Sequence, residues 1–528
     1  MKLIAEKYRK LRPTLEHLSD SVVMAQAWKK SHAYIRNRNW YADTLALDVS
    51  ALGLEDNAHS WANDVADSTK RPYSLELIPA AKSEKWVIDE KKGWTAQALL
   101  DKKHEKLRQM SPPLRPLAHI TIRDQTWATA AMLCLADAVE TAQGDCSIRS
   151  PIIARDRKVY SYGNRLLCDW RPGNRGADAW FRWGNGETYR KFFSDYQTFL
   201  NRPVEIGRAV AQSQTDEDHV FIVNLDLSKF YDCIDRPLLL QRLKSLAANY
   251  YGPVPDADFW SCVEKIMDWQ WRKEDKSLAS ALKLSLRNGL PQGLVAAGFF
   301  ANAYLNEFDT ALGAQIGENL GHDSGLVLHD YCRYVDDLRL VVSLNDGYSE
   351  DGLEAKLNAW VQEMLASHGG PDLKVNEKKT QVTALVDLDN RGTLSQRIKT
   401  LQSDISGPSD RDALESIMGV LEGLLTQQGE SIPATALEKD DHALLKLARF
   451  DHDIRPDTLK RFAANRLETI MRNKRKINEP APKSSPDEEN SLDNESELLS
   501  KKLILAWMQD PSLALVLRKA LEIFPSPR

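Results

Sequence analysis

No run of apolar residues in this sequence is long enough to cross a bilayer, so a membrane-spanning role does not follow from it. Met1 to Arg12 carries charges but neither an apolar core nor a small-residue cleavage site, which argues against a secretory signal, and the cytoplasm is the expected location. Cysteine is scarce: Cys134, Cys146, Cys168, Cys233, Cys262 and Cys332 form no C-x-x-C pair and lack a histidine at zinc spacing. Buried free thiols are therefore expected. An excess of positive charge is missing too, since 70 Lys and Arg stand against 75 Asp and Glu for a net charge of −5. That balance excludes a protein that binds nucleic acid by bulk charge alone.

With 528 residues, 42% hydrophobic and 27% charged, the chain has the composition of a globular protein and length for two or three domains. Its basic charge is concentrated. Between Arg149 and Lys191 there are ten basic residues and four acidic ones, interleaved with Tyr160, Tyr162, Trp170, Trp180, Phe181, Trp183 and Tyr189. Such a mixture suits phosphate tracking and base stacking, and equally suits a solvated segment whose aromatics face a core. On the first reading Arg157, Lys158 and Arg165 are candidate nucleic-acid contacts.

His219 to Leu227 (HVFIVNLDL) is an apolar, β-branched run ending in an acid, which predicts a buried strand. Leu294 to Leu312 follows a Pro-Gln-Gly turn and predicts a helix whose small face allows close packing. Leu326 to Tyr334 and Leu338 to Val342 flank an acidic pair, which predicts a β-hairpin with carboxylates at its tip. A helix over Leu353 to Leu365, ended by Gly369-Gly370-Pro371, and a short strand near Leu373 to Val375 complete an α+β layer. Beyond about residue 390 only helical patterns appear, in Asp412 to Leu425, Ala443 to Phe450 and Pro456 to Arg475. Ile477 to Glu497 is rich in Pro, Ser and acids and predicts a disordered linker before a last helical stretch, Leu498 to Phe524, broken near Pro511.

The acidic tip carries the chemistry. Copying a nucleic acid needs in-line attack of a primer 3′-hydroxyl on the α-phosphate of a nucleotide, and paired divalent cations can stabilise both the attacking and the leaving oxygen. Mg²⁺ held for that purpose needs hard oxygen ligands converging from separate elements. Asp226 at a strand end, with Asp336 and Asp337 at a hairpin tip, supplies them if the strands are neighbours; the backbone carbonyl of Leu227 is a further candidate ligand.

Asp226-Leu-Ser-Lys-Phe-Tyr-Asp-Cys-Ile-Asp235, Asn288-Gly-Leu-Pro-Gln-Gly293, Arg333-Tyr-Val-Asp-Asp337 and Leu373-Lys-Val-Asn-Glu-Lys-Lys-Thr380 occur in that order. The set resembles palm motifs A to D of reverse transcriptases, and the arginine before Tyr334 is similar to the bacterial forms. Leu114 to Asp124 resembles a fingers segment of group II intron enzymes. The resemblance, over roughly residues 75 to 385, implies an α+β right-hand polymerase palm and fingers followed by an all-α carboxy-terminal region. It divides the chain into a helical extension (1–74), fingers (75–218), palm (219–390) and helical region (391–528).

Carried over residue by residue, the resemblance implies that Asp226, Asp336 and Asp337 are the catalytic metal ligands, with two Mg²⁺ as cofactor and Mn²⁺ as an alternative. Tyr231 matches an aromatic gate against the ribose 2′-hydroxyl, which points to dNTP substrates and a DNA product. Gln292 and Gly293 match the turn beside the nucleotide, and Arg115 matches a cation for its triphosphate. Lys379 matches the lysine that protonates leaving pyrophosphate, with Lys374 and Lys378 as competitors. His329 reads better as a structural histidine.

No Phe-Leu-Gly signature follows Thr380, and the retron segments are out of place, with Asn57-Ala-His-Ser lacking the needed histidine. Intron mobility and a retron are therefore weaker matches. Val159 to Leu166 and the helical end resemble bacterial defence-associated and abortive-infection reverse transcriptases. That resemblance implies an RNA-directed DNA polymerase in anti-phage defence, copying an RNA template, often a structured non-coding RNA, with a homo-oligomer or a partner defence protein as further associations. A catalytically idle RNA-binding scaffold and an RNA-dependent RNA polymerase are the alternatives.

Overall fold

The computed structural model describes residues 6–38, 44–81, 86–89, 93–96, 114–173, 176–190, 192–213, 219–253, 256–320, 325–345, 351–386, 421, 456–477 and 486–525. They fall into two compact units, one of residues 1–78 with 116–387 and one of residues 79–115 with 388–528. Among the described residues no helix is long and apolar enough to cross a membrane.

In chain order come helices α1 (Ser21–Arg38), α2 (Thr44–Leu52) and α3 (Leu54–Ala66), then strands β1 (Glu76–Ala81) and β2 (Leu114–His119), which pair with each other. Helix α4 (Ile122–Gln143) follows, with 19 of its residues buried, and then the hairpin β3 (Cys168–Gly173) and β4 (Gly176–Phe181). The remaining elements are α5 (Phe192–Ser213), β5 (Val220–Asp226), α6 (Arg236–Tyr251), α7 (Ala257–Ile266), α8 (Ala297–Gly313), β6 (Leu326–Tyr334), β7 (Asp337–Leu344), α9 (Leu353–Met364) and β8 (Gln381–Ala384).

The central sheet has the order β8-β5-β7-β6 and is antiparallel throughout. Successive side chains on a strand alternate faces, so its register divides it cleanly. Phe221, Val223 and Leu225 share a face with Val342, Leu340 and Leu338, and all six are buried. Tyr331 and Arg333 on β6 continue this face and bond to Asp309 of α8, which places α8 beneath it. Each such buried side chain contributes about 1.5–3 kcal/mol of hydrophobic stabilisation at most.

The other face carries Asn224, Asp226, Asp337 and Arg339. Helix α5 packs against this face along β6, at Asp330 and Tyr334. The buried Arg202 makes a two-pronged ion pair with Asp330 at 2.7 and 2.8 Å, and Tyr196 and Phe199 stack against Tyr334.

The strand ending in Asp226, the acidic hairpin and the helix after the Pro-Gln-Gly turn are present, the helix beginning at Ala297 rather than Leu294. All six cysteines are buried and free. The expected strand at Leu373 to Val375 is not formed: only Val375 bridges to Leu227, and the edge strand is Gln381–Ala384 instead, where Thr383 can pair beside Ile222.

The second unit contains a small hairpin, Trp86–Asp89 with Gly93–Ala96, and helices α10 (Pro456–Ile477), α11 (Pro486–Gln509) and α12 (Ala514–Ile523). The linker expected over Ile477 to Glu497 is corrected in part, since helix α11 starts at Pro486. Proline is tolerated in a first turn, and the apolar end of α11 (Leu499, Leu503, Ala506) is buried. The break near Pro511 is present between α11 and α12. Asp412 to Leu425, apart from Leu421, and Ala443 to Phe450 lie outside the described residues.

Candidate active site

Strand β5 ends at Asp226, directly opposite Asp337, the first residue of β7. Cβ atoms of directly opposed residues in an antiparallel pair are about 4.5–5.5 Å apart, and like charges there repel. Asp336 completes the set from the two-residue turn Val335-Asp336 that joins β6 to β7, and its carbonyl accepts a hydrogen bond from Leu227 N at 3.0 Å.

That turn is strained. Val335 has a φ of +59°, at a position where hairpins usually place glycine. For a β-branched residue such a backbone costs on the order of 1–3 kcal/mol and persists only where its surroundings over-determine it. Two contacts do so: Gly163 lies so close beneath that a Cβ there would fall 2.6 Å from Val335 N, and Arg333 Nη1 donates to Val335 O at 3.3 Å.

The segment after α9 closes over Asp226. Asn376 N donates to Asp226 O at 2.7 Å, Asn376 Nδ2 to Asp226 Oδ2 at 3.2 Å, and Lys379 Nζ lies 3.0 Å from the same oxygen. Of the three lysines in this segment, Lys379 is the one bonded to Asp226, while Lys374 and Lys378 are exposed. Among the described residues no three His, Cys, Asp or Glu side chains are gathered tightly enough to hold a metal ion. The donors nonetheless fit a hard divalent cation: they are carboxylate oxygens, with an ammonium drawn to one of them.

Tyr231 lies five residues beyond Asp226, after a left-handed Lys229. Burial, and next the nearby Asp336 carboxylate, push its hydroxyl pKa well up, so the ring stays neutral. Its hydroxyl accepts a hydrogen bond from Asn164 Nδ2 at 3.4 Å. Its carbonyl accepts from Leu290 N at 2.9 Å, which ties the gate candidate to the Asn288–Gly293 turn. Gln292 Nε2 donates to Asp232 Oδ1 at 3.0 Å, and Gln292 O accepts from Ala118 N at 2.8 Å. Gly293 has a φ of +141°, and a Cβ there would strike the Ala118 carbonyl, so this position admits no side chain.

The structure brings Asp226, Leu227, Asp336, Asp337, Lys379 and Tyr231 to one end of the sheet, with Gln292 and Gly293 joined to Tyr231 through the backbone. Arg115 is exposed on β2 and falls in the second compact unit. Arg157 and Lys158 are exposed beyond the helix Pro151–Asp156. Arg165 is corrected: it is 1% exposed, with Nε on Glu140 at 2.8 Å and its other nitrogens on the Ser161 and Gly144 carbonyls, so no phosphate can reach it. Tyr160, Tyr162 and Phe181 are likewise core residues. His329 bonds to Ser343 Oγ across the hairpin and is held below the usual histidine range by burial, as a structural histidine should be.

Four contributors escaped the sequence reading. Gln125 clamps the Gly293 turn by donating to Gly293 O and accepting from Val295 N. Asn376 holds Asp226. Asn302 and Asp309 bind Arg333 from α8. The last two stand seven residues apart, on one face of the helix, and that spacing was their available signal.

A carboxylate set at the end of an antiparallel sheet, between a buried strand and an acidic hairpin with a helix packed beneath, has the layout of a polymerase palm. Residues 188–409 match the family described as reverse transcriptase (RNA-dependent DNA polymerase), so the chain carries a reverse transcriptase domain over that span. No curated protein sequence matches it. Solved structures similar to it include telomerase from Candida albicans in complex with a TWJ fragment of telomeric RNA, at 11% identity and a TM-score of 0.30, covering 88% of this chain and 66% of that one. Apo telomerase from Candida tropicalis is similar at 11% identity and a TM-score of 0.31, covering 89% of this chain and 74% of that one.

Proposed function

We propose that this reverse transcriptase copies an RNA template into DNA at Asp226, Asp336 and Asp337, and that it serves anti-phage defence. The observation that carries the chemistry is the register: Asp226 faces Asp337 across β5 and β7, and Asp336 stands in the adjoining turn. Mg²⁺ or Mn²⁺ ions bound by these carboxylates, with the Leu227 carbonyl as a further ligand, would stabilise charge on the attacking and leaving oxygens. The protein's share is positional. Tyr231 bars a 2′-hydroxyl from the nucleotide site, Gln292 and Gly293 floor it, and Lys379 hands a proton to the leaving pyrophosphate. Arg157 and Lys158 steer the nucleic acid.

Support for the biological role is the resemblance of Val159 to Leu166 and of the carboxy-terminal helices to bacterial defence enzymes. A structured non-coding RNA is the template class this implies, with a second copy or a defence protein as partner, and with fingers, palm and helical region dividing the labour along 75–218, 219–390 and 391–528.

The test is phage plating on bacteria expressing the protein with its neighbouring genes, with sequencing of the nucleic acids that co-purify with it. Protection lost in Asp336→Ala plus Asp337→Ala, with DNA complementary to one RNA in the wild type alone, is the expected result. No protection by the wild type overturns the role, and equal protection by the variant overturns its dependence on these carboxylates.

A further inference from the structure

The strained turn at Val335 is held from the core by a polar group that has no part in the chemistry itself. Arg333 is fully buried, and a guanidinium at that depth needs every donor met. Its Nε and Nη2 take both oxygens of Asp309 at 2.7 and 2.8 Å, a planar fork that fixes the head group in rotation as well as position. Its remaining nitrogen, Nη1, is shared between Asn302 Oδ1 at 3.0 Å and the carbonyl of Val335 at 3.3 Å.

Asn302 extends the grip. Its Oδ1 also accepts from Ser161 Oγ at 3.2 Å, and its Nδ2 donates to Gly163 O at 2.8 Å and Asn164 O at 3.2 Å. Gly163 is the residue packed under Val335, and Asn164 is the one that donates to the Tyr231 hydroxyl. One short loop, bound at both ends by a single amide, thus touches the turn that carries Asp336 and the ring proposed to gate the sugar.

We propose that Arg333 and Asn302, anchored on Asp309, are positioning residues that fix the Val335-Asp336 turn and couple its placement to that of Tyr231. A buried ion pair can often be replaced by apolar groups without loss of stability, so stability alone does not account for it. The third prong, spent on a carbonyl of the turn, is the feature a purely structural pair has no use for. The proposal rests on the polymerase reading above.

The test uses the full chain with Arg333→Lys, Asn302→Asp and Ser161→Ala, reading kcat and KM for a dNTP, the dNTP-to-NTP preference, and the rise in melting temperature on adding Mg²⁺ alone. Lysine keeps the charge and loses the fork. A misplacement near 1 Å costs on the order of 10²-fold in rate, and that fall in kcat is expected for folded Arg333→Lys with KM little changed. Its Mg²⁺ titration of melting temperature should move to higher concentration. Ser161→Ala, which removes one buried hydrogen bond to Asn302 Oδ1, should fold normally, lower kcat several-fold and shift the dNTP-to-NTP preference.

Folded Arg333→Lys with wild-type kcat and a wild-type Mg²⁺ titration overturns the proposal. If Arg333→Lys and Asn302→Asp do not fold, Ser161→Ala with wild-type kcat and preference overturns it. A wild type that incorporates no nucleotide defeats the polymerase reading instead, and the Mg²⁺ titration still decides whether Arg333 positions the turn.

Discussion

Lys379 Nζ sits 3.0 Å from Asp226 Oδ2, so this carboxylate already has a cationic side chain as a partner. Lys379 is half exposed, and its chain can swing away at little cost. Two roles compete for it: neutralising Asp226 in the resting protein, and protonating pyrophosphate during turnover. Lys379→Gln separates them. It should lower the Mg²⁺ concentration needed for half-maximal thermal stabilisation while reducing kcat by on the order of 10²-fold, the scale of a lost general acid. Loss of rate with an unchanged Mg²⁺ titration would remove the first role.

Tyr231→Ala should open the sugar pocket. Use of NTPs should rise relative to dNTPs, measured as the ratio of kcat/KM values, with dNTP incorporation retained. An unchanged ratio would mean that the ring is only packing beside Leu290 and Asn164.

The basic stretch divides into residues with opposite expected phenotypes. Arg165→Met leaves Glu140 buried without its partner and should cost about 3–5 kcal/mol in a denaturation experiment. Arg157→Gln with Lys158→Gln should leave the melting temperature unchanged, weaken RNA binding and flatten its dependence on salt, because two phosphate contacts fewer release fewer counterions. A titration at several salt concentrations checks both halves.

Lys30 sets a pH dependence. It is fully buried, donates to the carbonyls of Arg182 and Glu187, and burial lowers its pKa to about 7 from the ordinary 10.5. Between those values the unfolded chain binds the proton and the folded one does not, so this group's contribution to stability grows as pH rises, by up to about 1.4 kcal/mol per pH unit. Lys30→Met should remove that slope. Denaturation of both proteins from pH 7 to 9.5 gives the difference, and parallel curves would contradict it.

The legible parts were those governed by local pattern. β-branched runs at Val220 to Asp226 and on both sides of Val335-Asp336 announce strands, and the acids at their ends announce the site. What stayed hidden depended on partners remote in sequence. Arg165 looked like a nucleic-acid contact because nothing nearby reveals Glu140, 25 residues earlier on α4. The strand expected at Leu373 to Val375 is reduced to one bridge, Val375 to Leu227, flanked by Asn376 N on Asp226 O and Ser228 N on Lys374 O, while Gln381–Ala384 takes the rest of the β5 edge. Pro486 reads as a breaker, yet at a helix start it costs nothing.

The most direct measurement is Mg²⁺-dependent extension of a primed RNA template with dNTPs, run side by side with the wild type and with Asp336→Ala plus Asp337→Ala. Removing these two carboxylates forfeits several kcal/mol of transition-state charge stabilisation, so the variant should fall by at least roughly 10³-fold while melting near the wild type. Equal extension by both proteins would contradict a polymerase centre at Asp226, Asp336 and Asp337.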